Sequence, residues 1–556
     1  MDNTLITVLL SFLFCAIFSI SLSAQNTVGL ISYEPWNNSY DGYNLIYPHN
    51  QPHVYLLDNC GQIINSWEDE EDFKPGNTAY LTLDGNLIKA KRKSSEAFGF
   101  IYDTTGEAYV ECRDWDNNLL WQFSYVTSEG RLHHDIELTP SGTVLMISWD
   151  HHSIEQAIAM GRDPQFMEQE AFSPDKIMEY DPNLDSIIWE WKAWDHLVQD
   201  VDPSIDNYGE IAANPRKINI NYENNFNRAD WMHLNSIDYH PERDHIMINV
   251  PTFNEIWIID HSTTTEEAAT STGGNSGYGG DLLWRWGNPA AYNKGTAGDQ
   301  KLFFQHDALW SLEHLDENDS NQDLISIFNN KRTSSQSSVG IVDAPYNNTS
   351  GNYPIEEGQF LPNDFNFEWT HPEAELMYST NMSSMQILPN GNYLICAGRQ
   401  GYSFEYDASK DRIVWEYVTP IRSGFIESQG ATINVGDNPT FRIRRYPTDY
   451  GGFVGKDLEP QSYLELSPNE QFCEDILPAQ DIEILSLDVF PNPASDKLTL
   501  RSDKPLSMVK IIDIYGKEIT ASYTPREFTE IDISNLVKGI YFLIINNKYH
   551  QKFVKE

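Results

Sequence analysis

The chain has 556 residues, 40% of them hydrophobic, 21% charged and 13% aromatic, which excludes both a disordered polymer and a single small core. A formal net charge of −45 repels nucleic-acid phosphates and anionic lipid headgroups, so neither is expected as a partner. The aromatic excess, with 15 Trp and 29 Tyr, suits half-buried pleated surfaces and points to an all-β chain.

The chain opens on an apolar run, Leu5 to Leu22, followed by Ser23-Ala24-Gln25, which reads as a secretory signal over residues 1–24 although Asp2 stands where a basic residue is usual. No other run is apolar and long enough to span a bilayer. Besides Cys15 in this leader there are Cys60, Cys112, Cys396 and Cys473, with no CxxC pair and hence no zinc ribbon or thioredoxin-type site. One disulfide suits an oxidising compartment; spacing does not decide the pairing, and Cys60 with Cys112 is the first choice.

Residues 25–130 are expected to hold a small N-terminal β region and the first strands of a larger body at 131–470. That body repeats. Strand–turn–strand units recur at Leu81 to Ile88, Leu138 to Leu145 and Leu388 to Leu394, where Asp84-Gly85, Ser141-Gly142 and Asn390-Gly391 supply the positive φ of tight hairpins. A second element follows: Trp189-Glu190-Trp191, Trp284-Arg285-Trp286 and Trp415-Glu416-Tyr417, with looser copies at Trp121-Gln122-Phe123 and Phe367-Glu368-Trp369. Strand alternation turns the aromatic residues inward and leaves the charged residue between them outside. Repeated half-blades of this kind predict a six-bladed β-propeller, with two β-sandwiches in series as the alternative. The long polar loops 262–280 and 334–357 then lie over one end of the channel.

Of the 15 histidines, several fall at matching points of the repeat. His133-His134-Asp135, His233-Leu234-Asn235, His306-Asp307 and Asn381-Met382-Ser383 each come just before a strand read as the innermost of its blade. Innermost strands line the axis, so His134, His233, His306 and Asn381 are expected to converge on one pocket. Imidazoles that meet can also hold a metal. No HExxH occurs, however, and the acidic stretch Asp316 to Asp323 lacks EF-hand spacing and its central Gly, so no metal site is assigned. There is no GxGxxG, Walker loop or GxSxG elbow, and no cofactor is expected.

After a linker at 471–485, residues 486–556 form a separate unit of short strands: Lys497 to Leu500, Val509 to Ile514 and Gly539 to Ile545, opened by Phe490-Pro491-Asn492-Pro493-Ala494. The order of these motifs resembles the C-terminal sorting domain of the type IX secretion system. The resemblance implies a β-sandwich, recognition by the secretion machinery, and export through the periplasm to the cell surface or beyond.

The segments DWMHLNSIDYHPERDHIMI, NEIWIIDHSTT, DLLWRWGNPAAYNKGTAGDQKLFFQHDALW, YSTNMSSMQILPNGNYLICAGRQGYSFEYD and FRIRRYPTDY resemble the arylsulfotransferase family, over about residues 53–460. The resemblance implies a six-bladed propeller that moves a sulfuryl group from a phenolic sulfate ester to a phenol without a nucleotide donor. It makes His306 the nucleophile, His233 and Asn235 the His-x-Asn that holds sulfuryl oxygens, and His134 a further pocket residue. Asn381, Ser383 and Arg399 join them as candidate substrate-binding residues. Where the family usually carries an Arg, shortly after the His-x-Asn segment, this chain reads Asn249-Val250-Pro251-Thr252, and Arg399 is the candidate substitute. Two rival readings stay open: a secreted propeller that binds a glycan or protein without catalysis, and a sulfatase-like hydrolase. The oligomeric state is not legible.

Overall fold

The computed structural model describes residues 26–35, 38–93, 109–167, 171–222, 229–311, 324–469, 473, 487–502, 509–512, 519, 528–545 and 549–556. The leader at 1–24, most of the linker at 471–485 and the acidic stretch Asp316 to Asp323 lie outside them. The chain divides into two units, Met1–Leu477 and Pro478–Glu556. Both are built of β-strands, and the α-helices among the described residues are short: Ile154–Ala159, Thr265–Ala268 and Ala374–Met377.

Among the described residues, the first unit holds six antiparallel sheets of four or five strands. Sheet 1 runs Phe73–Leu81, Leu87–Lys93, Tyr109–Arg113, Leu119–Ser124. Sheet 2 runs Leu132–Leu138, Val144–Trp149, Asp175–Asp181, Ser186–Lys192. Sheet 3 runs Ser236–His240, His245–Val250, Glu255–Asp260, Trp284–Trp286. Sheet 4 runs His306–Trp310, Leu324–Thr333, Gln336–Asp343, Phe367–Trp369. Sheet 5 runs Ser384–Ile387, Tyr393–Ala397, Tyr402–Asp407, Arg412–Val418, with Gly29–Tyr33 as a fifth strand. Sheet 6 is assembled from both ends of the unit: Thr440–Pro447 pairs with Gly42–Pro48, followed by Val54–Leu57 and Ile63–Trp67.

Each sheet packs on the next through an apolar layer. Ile88 and Val110 meet Ile136 and Met146 between sheets 1 and 2, and Ile147 and Trp191 meet Ile248 and Trp257 between sheets 2 and 3. Corresponding layers join sheets 3 to 4, 4 to 5 and 5 to 6, and Leu56 and Trp67 of sheet 6 pack on Leu81 and Leu87 of sheet 1. The first strands are sheet edges, and buried edge N–H groups need acceptors. Side chains of the preceding sheet supply them: Asp135 accepts from Ile237 N (3.2 Å), Asp238 from Trp310 N (2.6 Å), Asp307 from Met385 N (3.1 Å) and Gln386 from Arg445 N (2.8 Å). Tyr446 Oη accepts from Leu81 N (2.9 Å), which carries the pattern from sheet 6 to sheet 1.

Within the region 25–130, the strands up to Trp67 complete sheets 5 and 6 and those from Phe73 form sheet 1. Two expectations change. Cys60 pairs with Cys473, not Cys112, which is a buried free thiol on sheet 1; the bridge ties the stretch after the last strand back to the turn of sheet 6. The Trp strands are fourth strands of their sheets, and Trp189, Trp191, Trp284 and Trp286 are buried as the alternation predicts, but Arg285 between Trp284 and Trp286 is fully buried rather than outside. Its guanidinium pairs with Glu255, donates to Lys217 O (3.0 Å) and lies over the Tyr292 ring, because the segments around Lys217 and Tyr292 cover that face.

The second unit has two three-stranded antiparallel sheets, one of Leu487–Phe490, Lys497–Ser502 and Phe528–Asp532, the other of Val509–Ile512, Gly539–Ile545 and Tyr549–Lys555. Leu498, Leu500 and Ile531 of the first share a core with Ile511, Leu543 and Phe553 of the second.

Candidate active site

Left-handed backbone occurs within the first strands of sheets 2 and 4, at His134 (φ 63°) and Asp307 (φ 57°), and three residues before that of sheet 3, at His233 (φ 58°). Such φ values cost a non-glycine residue about 1–3 kcal/mol and persist only where surrounding contacts impose them. The kinks bring together imidazoles that are far apart in sequence. His134 and His233 meet edge to face with ring centroids 4.5 Å apart, and the Phe441 ring of sheet 6 lies 6.3 Å from His134 and 6.2 Å from His306. Phe304 lies between the other two, 6.4 Å from His233 and 5.9 Å from His306.

Each imidazole has its own orienting partner. His306 Nδ1 lies 2.8 Å from Asn330 Oδ1 and 3.3 Å from Phe304 O. The Asn330 amide nitrogen donates to the carbonyls of Ser379 and Met382 (both 2.9 Å), so its oxygen must face the ring. Both groups near Nδ1 are therefore acceptors, the proton sits on Nδ1, and Nε2 carries the lone pair. Burial holds the His306 imidazole down to about 3, opposed by the hydrogen bonds to Asn330 and Phe304 O and reinforced by His233 and Arg442. It is neutral at any physiological pH.

His233 Nδ1 lies 2.5 Å from Asp230 Oδ2, whose other oxygen accepts from Trp149 Nε1 (2.9 Å). Burial alone would raise the Asp230 carboxyl, but His233, His133 and the Trp149 hydrogen bond outweigh it and hold it below its usual range. An ionised Asp230 makes Nδ1 the donor and favours the imidazolium. His134 Nδ1 lies 2.8 Å from His133 Nδ1, and His133 Nε2 lies 3.0 Å from Asp175 Oδ1. In the His133–His134 contact one ring must donate and the other accept. Burial first, then His233, His133, His306 and Arg442, keeps His134 well below the usual imidazole range.

The cation acting on this cluster is Arg442, on the first strand of sheet 6. It bonds Asp135 (2.8 Å), Tyr80 and Asn235 O (3.3 Å) and faces Asp307 at 3.3 Å. Arg444 adds two bonds to Asp307 at 2.6 and 3.1 Å. Burial would raise the Asp307 carboxyl, but the two guanidinium groups hold it below its ordinary value.

The remaining expected residues are placed around this cluster rather than within it. Asn235 is fully buried, donates to Gln305 O (3.0 Å) and accepts from Asn249 (2.5 Å), while Gln305 donates to Asn249 Oδ1 (2.9 Å). These three amides fix the backbone just before His306, and Asn249 belongs to the stretch where the family Arg is missing. Ser383 Oγ accepts from Gly398 N (2.9 Å) and Ser383 N donates to Phe441 O (2.9 Å). Half-buried Asn381 accepts from Ser379 Oγ at its carbonyl (2.7 Å). Arg399 points to Gly436, where an added Cβ would lie 3.0 Å from its Nη2. Sequence reading missed Asp175, Asp230, Asn330 and Phe441; Asp230 stands three residues before His233 and could have been found there. Among the described residues no group of three or more His, Cys, Asp or Glu is arranged to hold a metal ion.

A model of the arylsulfotransferase (ASST) family matches residues 83–420, and one of the secretion system C-terminal sorting domain matches residues 488–556. No curated protein matches the chain. Among solved structures, a Bacteroides caccae protein of unknown function is 10% identical, with 73% of this chain and 99% of that chain covered and a TM-score of 0.37. Apo AztD from Citrobacter koseri is 8% identical, with 73% and 98% covered and a TM-score of 0.32. Likenesses this slight say nothing about activity.

Proposed function

The chain belongs to the arylsulfotransferase family, whose model matches more than half its length, and we propose that it transfers a sulfuryl group between phenolic oxygens through a sulfohistidine at His306. The six sheets, each packed on the next and the sixth on the first, are read as the blades of a six-bladed propeller with the site at one end of its axis. The sorting domain marks the chain for export by the type IX machinery, to the surface or the medium.

One observation carries the chemical reading: Asn330 holds the proton of His306 on Nδ1, so the Nε2 lone pair belongs to a neutral, buried imidazole. In the first half-reaction this lone pair forms the N–S bond as the S–O bond to the phenol breaks, and His233, charged against Asp230, gives its Nε2 proton to the departing oxygen. In the second, an acceptor phenol loses its proton to His233 and its oxygen displaces the imidazole from sulfur. His134 and the field of Arg442 offset the charge on the equatorial sulfuryl oxygens. Asn235 and Ser383 act by holding His306 and Phe441. No cofactor takes part.

A chromogenic aryl sulfate, with and without added phenol, tests the reading. Release that depends on phenol and vanishes in His306→Ala, with folding intact, is the expected result. Equal release without phenol means hydrolysis. Silence from the wild-type protein means a binding module, which the Asn249 to Thr252 departure would then explain.

A further inference from the structure

Phe304 is held in left-handed backbone (φ 56°), which is uncommon for a bulky side chain and persists only where contacts impose it. Its own N–H donates to Asn254 Oδ1 (2.8 Å), and the Phe303 N–H donates to Asn329 Oδ1 (2.7 Å). The Phe303 carbonyl accepts from Lys331 N (2.9 Å), on the second strand of sheet 4. This backbone places the Phe304 ring beside two of the imidazoles, 6.4 Å from His233 and 5.9 Å from His306. The Lys331 ammonium lies over the same ring, 3.9 Å from its centroid. Lys331 is exposed, Phe304 half-buried and His306 buried, so the three grade from solvent to the reacting ring.

Lys331 differs from the guanidinium groups near the imidazoles. Arg442 and Arg444 are committed to Asp135 and Asp307. Among the described residues Lys331 has no carboxylate partner, and partial burial alone acts on its ammonium, lowering it from the usual lysine value. Its neighbour in the chain is Asn330, which orients His306 from 2.8 Å. In a chain of net charge −45, an anion is drawn in only where a local cation opposes the overall field. We propose that Lys331, resting on Phe304, receives the sulfate group of an incoming aryl sulfate before that group reaches His306, and so selects an anionic donor. A compact charge on a flexible stem suits such a role, because it can leave an exposed ring at little cost. The proposal rests on the sulfotransfer reading for the identity of the donor, but not for its binding.

The test measures transfer from 4-nitrophenyl sulfate to phenol, at one fixed phenol concentration, in the wild-type protein, Lys331→Met and Lys331→Arg. Methionine keeps an unbranched stem and loses the charge, and circular dichroism checks that each variant folds. In Lys331→Met, kcat/KM for the donor should fall about tenfold with kcat within about twofold of wild type, and the gap should narrow as salt is raised. Lys331→Arg should recover most of the loss. A kcat/KM that stays within about twofold of wild type in Lys331→Met overturns the proposal, and so does a fall confined to kcat. If the wild-type protein transfers nothing, the sulfotransfer reading fails by itself. Calorimetric binding of phenyl sulfate and of phenol then decides the matter. Phenyl sulfate should bind Lys331→Met about tenfold more weakly, with phenol unchanged. Equal binding of phenyl sulfate to the two proteins, or no binding to the wild type, overturns the proposal.

Discussion

Asn330 shows how one amide can set the chemistry of a ring it only supports. With both its N–H groups committed to the carbonyls of Ser379 and Met382, it can offer His306 nothing but an acceptor. Asn330→Ala removes that acceptor and lets the ring turn or exchange tautomers. Under the proposed mechanism kcat should then fall by on the order of 10²-fold, as expected when a reacting group is misplaced by about an ångström. KM for the donor should change little, while stability should fall by about 1–3 kcal/mol because the Ser379 and Met382 carbonyls lose their donor, so kcat is read below the lowered midpoint that calorimetry gives; a kcat within twofold of wild type would remove Asn330 from the account. The imidazoles themselves were legible because they recur near the start of a first strand, although His134 lies within its strand and His306 opens its own rather than preceding it. Their partners were not, since Asp175, Asp230 and Asn330 come from different strands and only folding places them. Arg399 was chosen for its nearness to Asn381 in sequence, whereas the cation acting on the imidazoles is Arg442, which reaches the cluster from sheet 6.

Between elements, the sheets are joined by polar staples as well as apolar layers. His261, after the third strand of sheet 3, sits between Asp244 of its own sheet (2.6 Å) and Glu179 of sheet 2 (3.0 Å). Burial disfavours its charge, but the two carboxylates outweigh burial and raise the imidazole from 6.5 to about 9. An imidazole raised on folding stabilises the folded state fully below pH 6.5, where it is charged in both states, and the gain is lost as pH climbs to 9. The shift corresponds to at most about 3 kcal/mol. Wild-type protein should therefore lose more stability between pH 6 and pH 9 than His261→Gln, by roughly 2–3 kcal/mol in urea unfolding. Parallel losses in the two proteins would show that the staple is neutral. The hairpins and Trp strands from which the fold was read survive as the joint between first and second strands and as the fourth strands. What the repeat could not reveal is the burial of Arg285, which depends on the distant segments around Lys217 and Tyr292, or the joining of sheets 5 and 6 by N-terminal strands, a pairing across some four hundred residues of chain.

At the scale of the first unit, the proposed propeller has to close. A succession of blades has two free edges until its ends meet, and under that reading the meeting is made by Thr440–Pro447, which pairs with Gly42–Pro48. The seam is reinforced twice: Gly29–Tyr33 joins Arg412–Val418, and Cys473 is bridged to Cys60. The sorting unit has a core of its own around Leu498, Ile531 and Leu543. Among the described residues, the paired strands and the bridge of this seam all lie at or before Cys473. A chain ended after Leu477 should unfold within about 2 °C of the full-length protein and keep its turnover. A chain ended after residue 469 keeps every strand of sheets 1 to 6 but loses the bridge, and its stability should drop by about 2–4 kcal/mol. Reduction of the first truncation should reproduce the second. Calorimetry of the two truncations, each with and without reductant, separates the contributions. Equal midpoints throughout would mean that strand pairing alone holds the seam, and a fall already at Leu477 would mean that the sorting unit takes part in it.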